Sequence, residues 1–288
     1  MTSTYDANDE QARLWNGPSG QSWVEAQALL DRAFRPFEDR LVEAASTGPH
    51  RRVLDIGCGT GSTTLAVARR LGAASRCVGV DISEPMLALA RTRGAHEGSP
   101  AEFIRADAQT YPFEAGIFDL VVSRFGVMFF DDPVRAFANV RRASANGAEL
   151  RCIAWRSAAD NPFMTTAERA AAPLLPALPA RQPDAPGQFA FANPTRVHGL
   201  LAESGWSGSD IQPIDVECAF PAEALTSYFT RLGPVARVLQ EVDDETRARV
   251  IDVVRPAFDA YVHGDEVRFT AACWMVGASA GVRRNATD

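Results

Sequence analysis

The chain has 288 residues, 46% of them hydrophobic and 23% charged, and no apolar run approaches the roughly 18 residues that a membrane span requires. That composition excludes a disordered chain, a collagen-like repeat and a disulfide scaffold. The 29 basic and 36 acidic residues leave a net charge of −7, which argues against a sequence-independent grip on nucleic acid, since phosphate neutralisation needs clustered positive charge.

From residue 50 to 155, strand-like and helix-like patterns alternate, the signature of a parallel sheet built from βαβ units. The apolar run 52–56 predicts a short buried strand, ended by Gly57-Cys58-Gly59-Thr60-Gly61. A helix is predicted over 62–71, with Leu65, Ala68 and Leu71 at helical spacing and Gly72 as its stop. A second strand follows at 77–82, and Ser83 reads as the N-cap of a helix with Pro85 in its first turn and Gly94 at its end. Further strands are predicted at 101–105, 120–123 and 149–155, with a helix over 133–143 and a turn at Asn146-Gly147.

After Trp155 the alternation breaks. Six prolines among many alanines over 156–190, Pro183 included, suit short helices and loops and read as an insertion. The pattern resumes with a helix over 194–204 and a strand over 211–217. A helical stretch over 222–262 then precedes a final strand at 267–275.

All 29 basic residues are arginine, which excludes a lysine Schiff base, a P-loop lysine and a lysine general base. The five cysteines, at 58, 77, 152, 218 and 273, are odd in number and widely spaced, and residues 1–21 are polar without a signal-like apolar stretch. A reducing, cytoplasmic setting is therefore expected.

Between the first strand and the first helix lies Asp55-Ile56-Gly57-Cys58-Gly59-Thr60-Gly61. Dinucleotide enzymes use a related glycine turn at this place. Here Ser62 stands where their third glycine would be, and Asp55 would repel a pyrophosphate while suiting a ligand that bears an ammonium group. The second strand ends in Asp81, whose carboxylate at the open end of a parallel sheet can accept from ribose hydroxyls. The third ends in Arg105-Ala106-Asp107-Ala108.

Taken together, these residues resemble the class I S-adenosylmethionine (SAM) dependent methyltransferases, whose first motif has the same acidic-x-G-x-G-x-G form. The resemblance implies that Gly57, Cys58, Gly59 and Gly61 line the methionine and ribose part of SAM, with Asp55 near its ammonium. It also implies that Asp81 holds the ribose, that Ile82 and Met86 flank the adenine, and that Asp107 and the Ala108 N–H meet the adenine's polar edge. Ser123-Arg124-Phe125-Gly126, after the fourth strand, would face the transferred methyl, with Ser123 among the cofactor contacts. Enzymes of this family that act on nucleobase amines carry an Asn/Asp/Ser-Pro-Pro-aromatic stretch there, so a base acceptor is not expected. The run through Asp131-Asp132-Pro133 is most similar to the quinone C-methyltransferases and small-molecule enzymes of secondary metabolism. The stretch Leu14-Trp15-Asn16-Gly17 resembles that subgroup as well, and implies a cap in which Trp15 shields SAM while Trp23 is a packing anchor.

Methyl transfer to an already activated carbon proceeds largely by positioning, and no catalytic residue is assigned. Were a base used, His198 and His263 are the candidates by type, with Tyr228 and Tyr261 behind them, while His50 and His96 fall in expected, solvated loops. No metal is expected, because no cluster of ligating residues has suitable spacing. Arg124 either pairs with an acidic group of the substrate or forms a structural ion pair with Asp119 or Asp131. Phe163, Met164, Leu174, Leu175, Leu178, Phe189, Phe191, Phe220, Phe229 and Leu232 either build an apolar acceptor pocket or only pack the insertions.

The expected fold is α/β, a Rossmann-like sheet of seven mostly parallel strands with helices on both faces and, as the family implies, an antiparallel last strand. The division reads as an N-terminal helical cap over 1–44, a SAM-binding core over 45–158, a lid insertion over 159–193, core again over 194–219, a second lid segment over 220–264, and the last strand with a tail over 265–288. The expected activity is transfer of the methyl of SAM to an O, N or C atom of a small, mostly apolar metabolite. Two alternatives stay open: a non-catalytic SAM-binding module, and a nicotinamide-dependent oxidoreductase.

Overall fold

The structure is a computed structural model and describes residues 8–182 and 184–281. The ends of the expected cap and tail, and Pro183 of the alanine-proline run, lie outside the described residues.

Three helices come first, α1 (Asn8–Asn16), α2 (Pro18–Glu25) and α3 (Gln27–Ser46). Along α3 the buried residues Leu30, Ala33, Phe34, Phe37, Leu41 and Ala45 recur every three or four positions, so one stripe meets the core. Then β1 (Arg52–Ile56), α4 (Ser62–Leu71), β2 (Arg76–Asp81), α5 (Glu84–Glu97), β3 (Glu102–Arg105), β4 (Phe118–Arg124), α6 (Pro133–Ala143) and β5 (Ser144–Trp155) form the alternating core. The remainder comprises α7 (Pro162–Ala171), α8 (Pro194–Glu203), β6 (Ser207–Pro221), α9 (Leu225–Arg231), α10 (Gly233–Leu239), α11 (Asp244–Ala257), the two-residue β7 (Val262–His263) and β8 (Glu266–Ser279).

The strands make one sheet in the order β3-β2-β1-β4-β5-β8-β6, with β7 paired to β8 off that path. Strands β1 to β5 are mutually parallel, and β8 runs antiparallel between β5 and β6. Alternation along β1 feeds both faces of the sheet. Val53, paired with Leu120, faces Val67, Ala68 and the end of α3, whereas Leu54, paired with Val121, joins the main core with Phe137 and Val140.

From β1 the chain order runs outward to β2 and β3, then returns to the other side of β1 as β4 and β5. The carboxyl ends of β1 and β4 are therefore neighbours from which the connections diverge, which is where a crevice opens in such sheets. That topology brings Asp55-Gly57 and Arg124-Gly126 together although some 70 residues of sequence separate them.

Several expected boundaries move. Gly94 does not end α5: it lies buried inside the helix within reach of Leu65 and Phe103, and the helix runs on to Glu97 with Gly98 as its cap. Asn146 and Gly147 fall inside β5, at a register irregularity opposite the start of β4, where the Gly147 N–H donates to the Gly281 carbonyl. The helical stretch 222–262 resolves into α9, α10 and α11 with a short 3₁₀ turn before and after them, and β6 and β8 extend past their predicted ends. His50 is buried 3.8 Å from Asp119 instead of solvated, and the exposed His96 lies within α5.

Candidate functional site

A cavity of about 970 Å³ opens over the carboxyl ends of β1, β2 and β4, closed in by the N-terminal helices on one side and the 159–193 and 220–264 segments on the other. The strand ends give it a floor that carries Asp55, Asp81 and Arg124 among apolar residues, and the insertions give it a roof in which Phe163, Met164, Phe189, Phe229 and Leu232 stand beside Glu168, Arg181 and Arg231.

Asp55, at the end of β1, is 2% exposed and uses Oδ2 to accept from Thr64 Oγ1 at 2.6 Å. Its Oδ1 is buried without a partner. Burial pushes its carboxyl up to about 7, against the opposing pull of the Thr64 hydrogen bond and the Arg124 charge. Asp81 ends β2 with both oxygens engaged: Oδ2 accepts from the Gly59 N–H at 2.8 Å and Oδ1 from the Ser83 N–H at 2.9 Å. Burial raises its pKa despite those bonds. Each carboxylate oxygen keeps a second lone pair for a ligand hydroxyl.

The glycine turn threads between these acids. Gly57 has a φ of +66°, and a Cβ there would stand 2.6 Å from the Cα of Gly126, so two glycines cross where β1 and β4 end. Between Arg124 and Gly126, Phe125 has a φ of +66°, a conformation costly for a bulky residue. Its ring is locked by stacking on Trp155 at 4.7 Å and by edge contacts from Phe34 and Phe37. Backbone strain of this kind persists only where packing enforces it, and here it turns the chain so that Gly126 closes on Gly57.

Of the expected contacts, Trp15, Asp55, Gly57, Cys58, Gly59, Asp81, Ile82, Met86, Asp107 and Ala108 all line the cavity. Two do not. Gly61 is the left-handed N-cap of α4, φ +85°, where a Cβ would stand 2.9 Å from Ala90 and Phe103, so it shapes the turn from behind. Ser123 is fully buried below the wall, its Oγ donating to the Ile56 carbonyl at 2.7 Å and accepting from the Gly126 N–H at 3.2 Å. It braces the glycine crossing and makes no part of the wall. Asp107 folds onto its own turn, accepting from the Gln109 N–H at 2.9 Å. Burial keeps the Cys58 thiol protonated, so Cys58 contributes backbone.

Neither histidine offered as a base reaches the cavity. His198 sits on α8 with Nδ1 2.7 Å from Ser209 Oγ, and His263 is exposed on β7. Tyr228 does line it, donating to Met164 Sδ at 3.3 Å, with its hydroxyl pKa raised by burial. Tyr261 packs on Phe163 off the wall. Arg124 pairs with neither Asp119, which accepts from the Arg51 and Arg52 N–H groups, nor Asp131. It half-faces the cavity with Nη1 buried and unpartnered.

The insertion residues divide. Phe163, Met164, Phe189, Phe229 and Leu232 face the cavity, and the other five apolar residues predicted there pack behind them. Phe163 is the hub, stacked on Phe269 at 3.9 Å and in edge contact with Phe220, Phe258 and Tyr261. The insertions also bring charge to the wall: Glu168, on α7, receives Arg181 through both oxygens, and Arg231 of α9 lines it as well.

Three participants carry no obvious sequence signal. Asn16 fastens the cap, Nδ2 donating to the Ile82 carbonyl at 3.0 Å and Oδ1 accepting from the Glu84 N–H at 2.9 Å. The Trp15 carbonyl accepts from Ser83 Oγ at 2.5 Å. Thr63, in the first turn of α4, lines the cavity with its hydroxyl buried and unpartnered. Among the described residues no helix is long and apolar enough to cross a membrane, and no cluster of three ligating side chains could hold a metal.

Comparison with known proteins gives a family match. The model of a methyltransferase domain matches residues 53–147. An uncharacterized protein of Mycobacterium tuberculosis is 27% identical over 223 residues, 75% of this chain and 76% of that one. The demethylmenaquinone methyltransferase of Lactiplantibacillus plantarum is 32% identical over 145 residues, 44% of this chain and 61% of its own. The aklanonic acid methyltransferase of a Streptomyces species is 33% identical over 135 residues, 45% of this chain and 61% of its own. Among solved structures, a phosphoethanolamine N-methyltransferase of Haemonchus contortus, in complex with S-adenosylhomocysteine (SAH), superposes with a TM-score of 0.52 at 17% identity, over 86% of this chain and 53% of that one, a likeness of fold.

Proposed function

Because the chain belongs to the class I SAM-dependent methyltransferases, with SAM as its cofactor, we propose that it methylates a small, apolar, ring-bearing metabolite at an oxygen or carbon that reaches the site already acidic. The observation that carries this reading is a single cavity that joins Asp55, Asp81 and Arg124 at the strand ends to the rings of Phe163, Phe189 and Phe229 in the insertions. On the floor, buried Asp55 Oδ1, Thr63 Oγ1 and Arg124 Nη1 have no protein partner, a set left for a charged, polar ligand. Asp81 would hold the ribose, and Ile82, Met86, Asp107 and Ala108 would enclose the adenine.

Bound SAM supplies a methyl carbon activated by its sulfonium. The chain's share is position and exclusion of water. Phe163, Met164, Phe229 and Leu232 would seat the acceptor's apolar body, with Tyr228 adding a hydroxyl at that wall. Among the described residues no histidine lines the cavity, and Glu168 is held by the Arg181 fork. An acceptor oxygen or carbon that arrives as the anion of an enol, phenol or acid would need no base from the chain. Relatives named for a menaquinone precursor and for aklanonic acid support this substrate class.

The test is calorimetric titration with SAM, SAH and NADH, followed by methyl transfer from labelled SAM to a panel of hydroquinones, phenols and polyketide acids. Binding of both sulfur ligands, abolished by Asp81→Ala, with label recovered on a ring acceptor, is the expected result. Binding without turnover on any acceptor would favour a SAM-binding module, and binding of NADH alone would overturn the reading.

A further inference from the structure

The Arg124 side chain makes no hydrogen bond or ion pair among the described residues, although the residue ends a core strand and its Nη1 is buried. Leaving a guanidinium nitrogen buried and unpaired is costly unless a ligand completes it. Carboxylates stand near enough to bear on its charge, namely Asp31, Glu38 and Asp55. Each is spoken for. Asp31 Oδ2 accepts from Arg93 at 2.6 Å and from Gln27 at 2.5 Å, Glu38 Oε2 accepts from Ser62 Oγ at 2.7 Å, and Asp55 Oδ2 accepts from Thr64 Oγ1 at 2.6 Å.

What remains buried and without a partner on this floor is one carboxylate oxygen, Asp55 Oδ1, and two donors, Arg124 Nη1 and Thr63 Oγ1. Thr63 lies in the first turn of α4, where the helix dipole favours an anion. An acceptor of cations beside a pair of anion-binding donors is complementary to a free α-amino acid. We infer that Arg124, with Thr63, binds the α-carboxylate of the SAM methionine arm while Asp55 takes its ammonium, so that Arg124 serves the cofactor and not an acidic group of the acceptor. The inference rests on the reading that this cavity holds SAM. It makes Arg124 a specificity residue: ligands that keep the amino-acid arm use it, and nucleosides that lack the arm do not.

The experiment compares SAH with 5′-methylthioadenosine, which lacks the arm, by titration calorimetry on wild-type protein, Arg124→Gln and the near-isosteric Thr63→Val. Loss of a charge-assisted bond predicts SAH weakened by about 10- to 100-fold in Arg124→Gln, with 5′-methylthioadenosine changed by less than about threefold. Thr63→Val should follow the same pattern more weakly, and keeps the test alive if Arg124→Gln does not fold. Equal losses for the two ligands would mean a structural role, and unchanged SAH affinity with a raised acceptor KM would move Arg124 to the acceptor; either overturns the inference alone. Failure of wild-type protein to bind either ligand would overturn the SAM reading with it.

Discussion

Asp55 illustrates how one residue couples local burial to ligand chemistry. Its carboxyl, pushed up to about 7 by burial, holds more protons in the folded chain than in the unfolded one between its ordinary value and neutrality. Stability therefore falls as pH rises through that window, since the folded state favours the protonated form. An ammonium on Oδ1 favours the ionised form, so binding at pH 6 should release close to one proton. SAH affinity is expected to rise about fivefold from pH 6 to pH 7, where the ligand's own ammonium stays charged, and to flatten in Asp55→Asn. Calorimetry in buffers of different ionisation enthalpy reads both quantities; a flat profile in the wild type would refute the assignment. The glycine crossing makes a second test. A Cβ on Gly126 would stand 2.4 Å from the Ile56 carbonyl, backbone that cannot swing aside. Gly126→Ala should destabilise by about 1–3 kcal/mol in urea unfolding.

At the scale of elements, the cap depends on a small contact. Asn16 and the Trp15 carbonyl tie α1 to the turn between β2 and α5 through three hydrogen bonds, and the Trp15 ring meets Trp23 and Phe129 edge-on. Replacing Asn16 with Ala removes two of those bonds, worth about 1–3 kcal/mol together. Stopped-flow release of SAH should quicken by about tenfold or more, with the sheet's unfolding midpoint almost unchanged. The alternating core was legible in the sequence because apolar period and glycine punctuation agree there, as in β1, α4 and α6. Gly94 misled because a glycine does not by itself stop a helix: here it lies buried within α5, and the left-handed Gly98 is the cap. Ser123 misled because a strand-end hydroxyl looks the same in sequence whether it meets a ligand or braces a turn. His198 and His263 were offered by residue type alone, and only the path of the chain through α8 and β7 shows them facing elsewhere. Asn16 and Thr63 were invisible for the same reason, since their partners are set by tertiary geometry.

For the molecule as a whole, the N-terminal helices and the 220–264 segment meet over one sheet. Arg231, at the end of α9, is ion-paired to Glu25, at the end of α2, so cap and second lid segment touch across the opening. Behind them the aromatic cluster around Phe163 binds α7 to α11 and to β8. Phe163→Ala should cost about 3–5 kcal/mol of local packing. Hydrogen exchange should then quicken in α7, α9 and α11, acceptor KM should rise, and SAH affinity should change little. Uniform protection across the mutant would contradict this separation of floor from roof.

The strand order has a last consequence, at the margins of the sheet. One margin is β3, four residues long, and the other is β6, which among the described residues pairs with β8 alone. Open margins invite strand addition by another chain, the first step of sheet-to-sheet aggregation. β6 carries Pro213, which offers no N–H, and sets Asp210, Asp215 and Glu217 along its length. A visiting strand would find a missing donor and a row of like charges, and on β3 too few residues to register against. The fifteen-residue ribbon that completes the fold thus also protects it from self-templating.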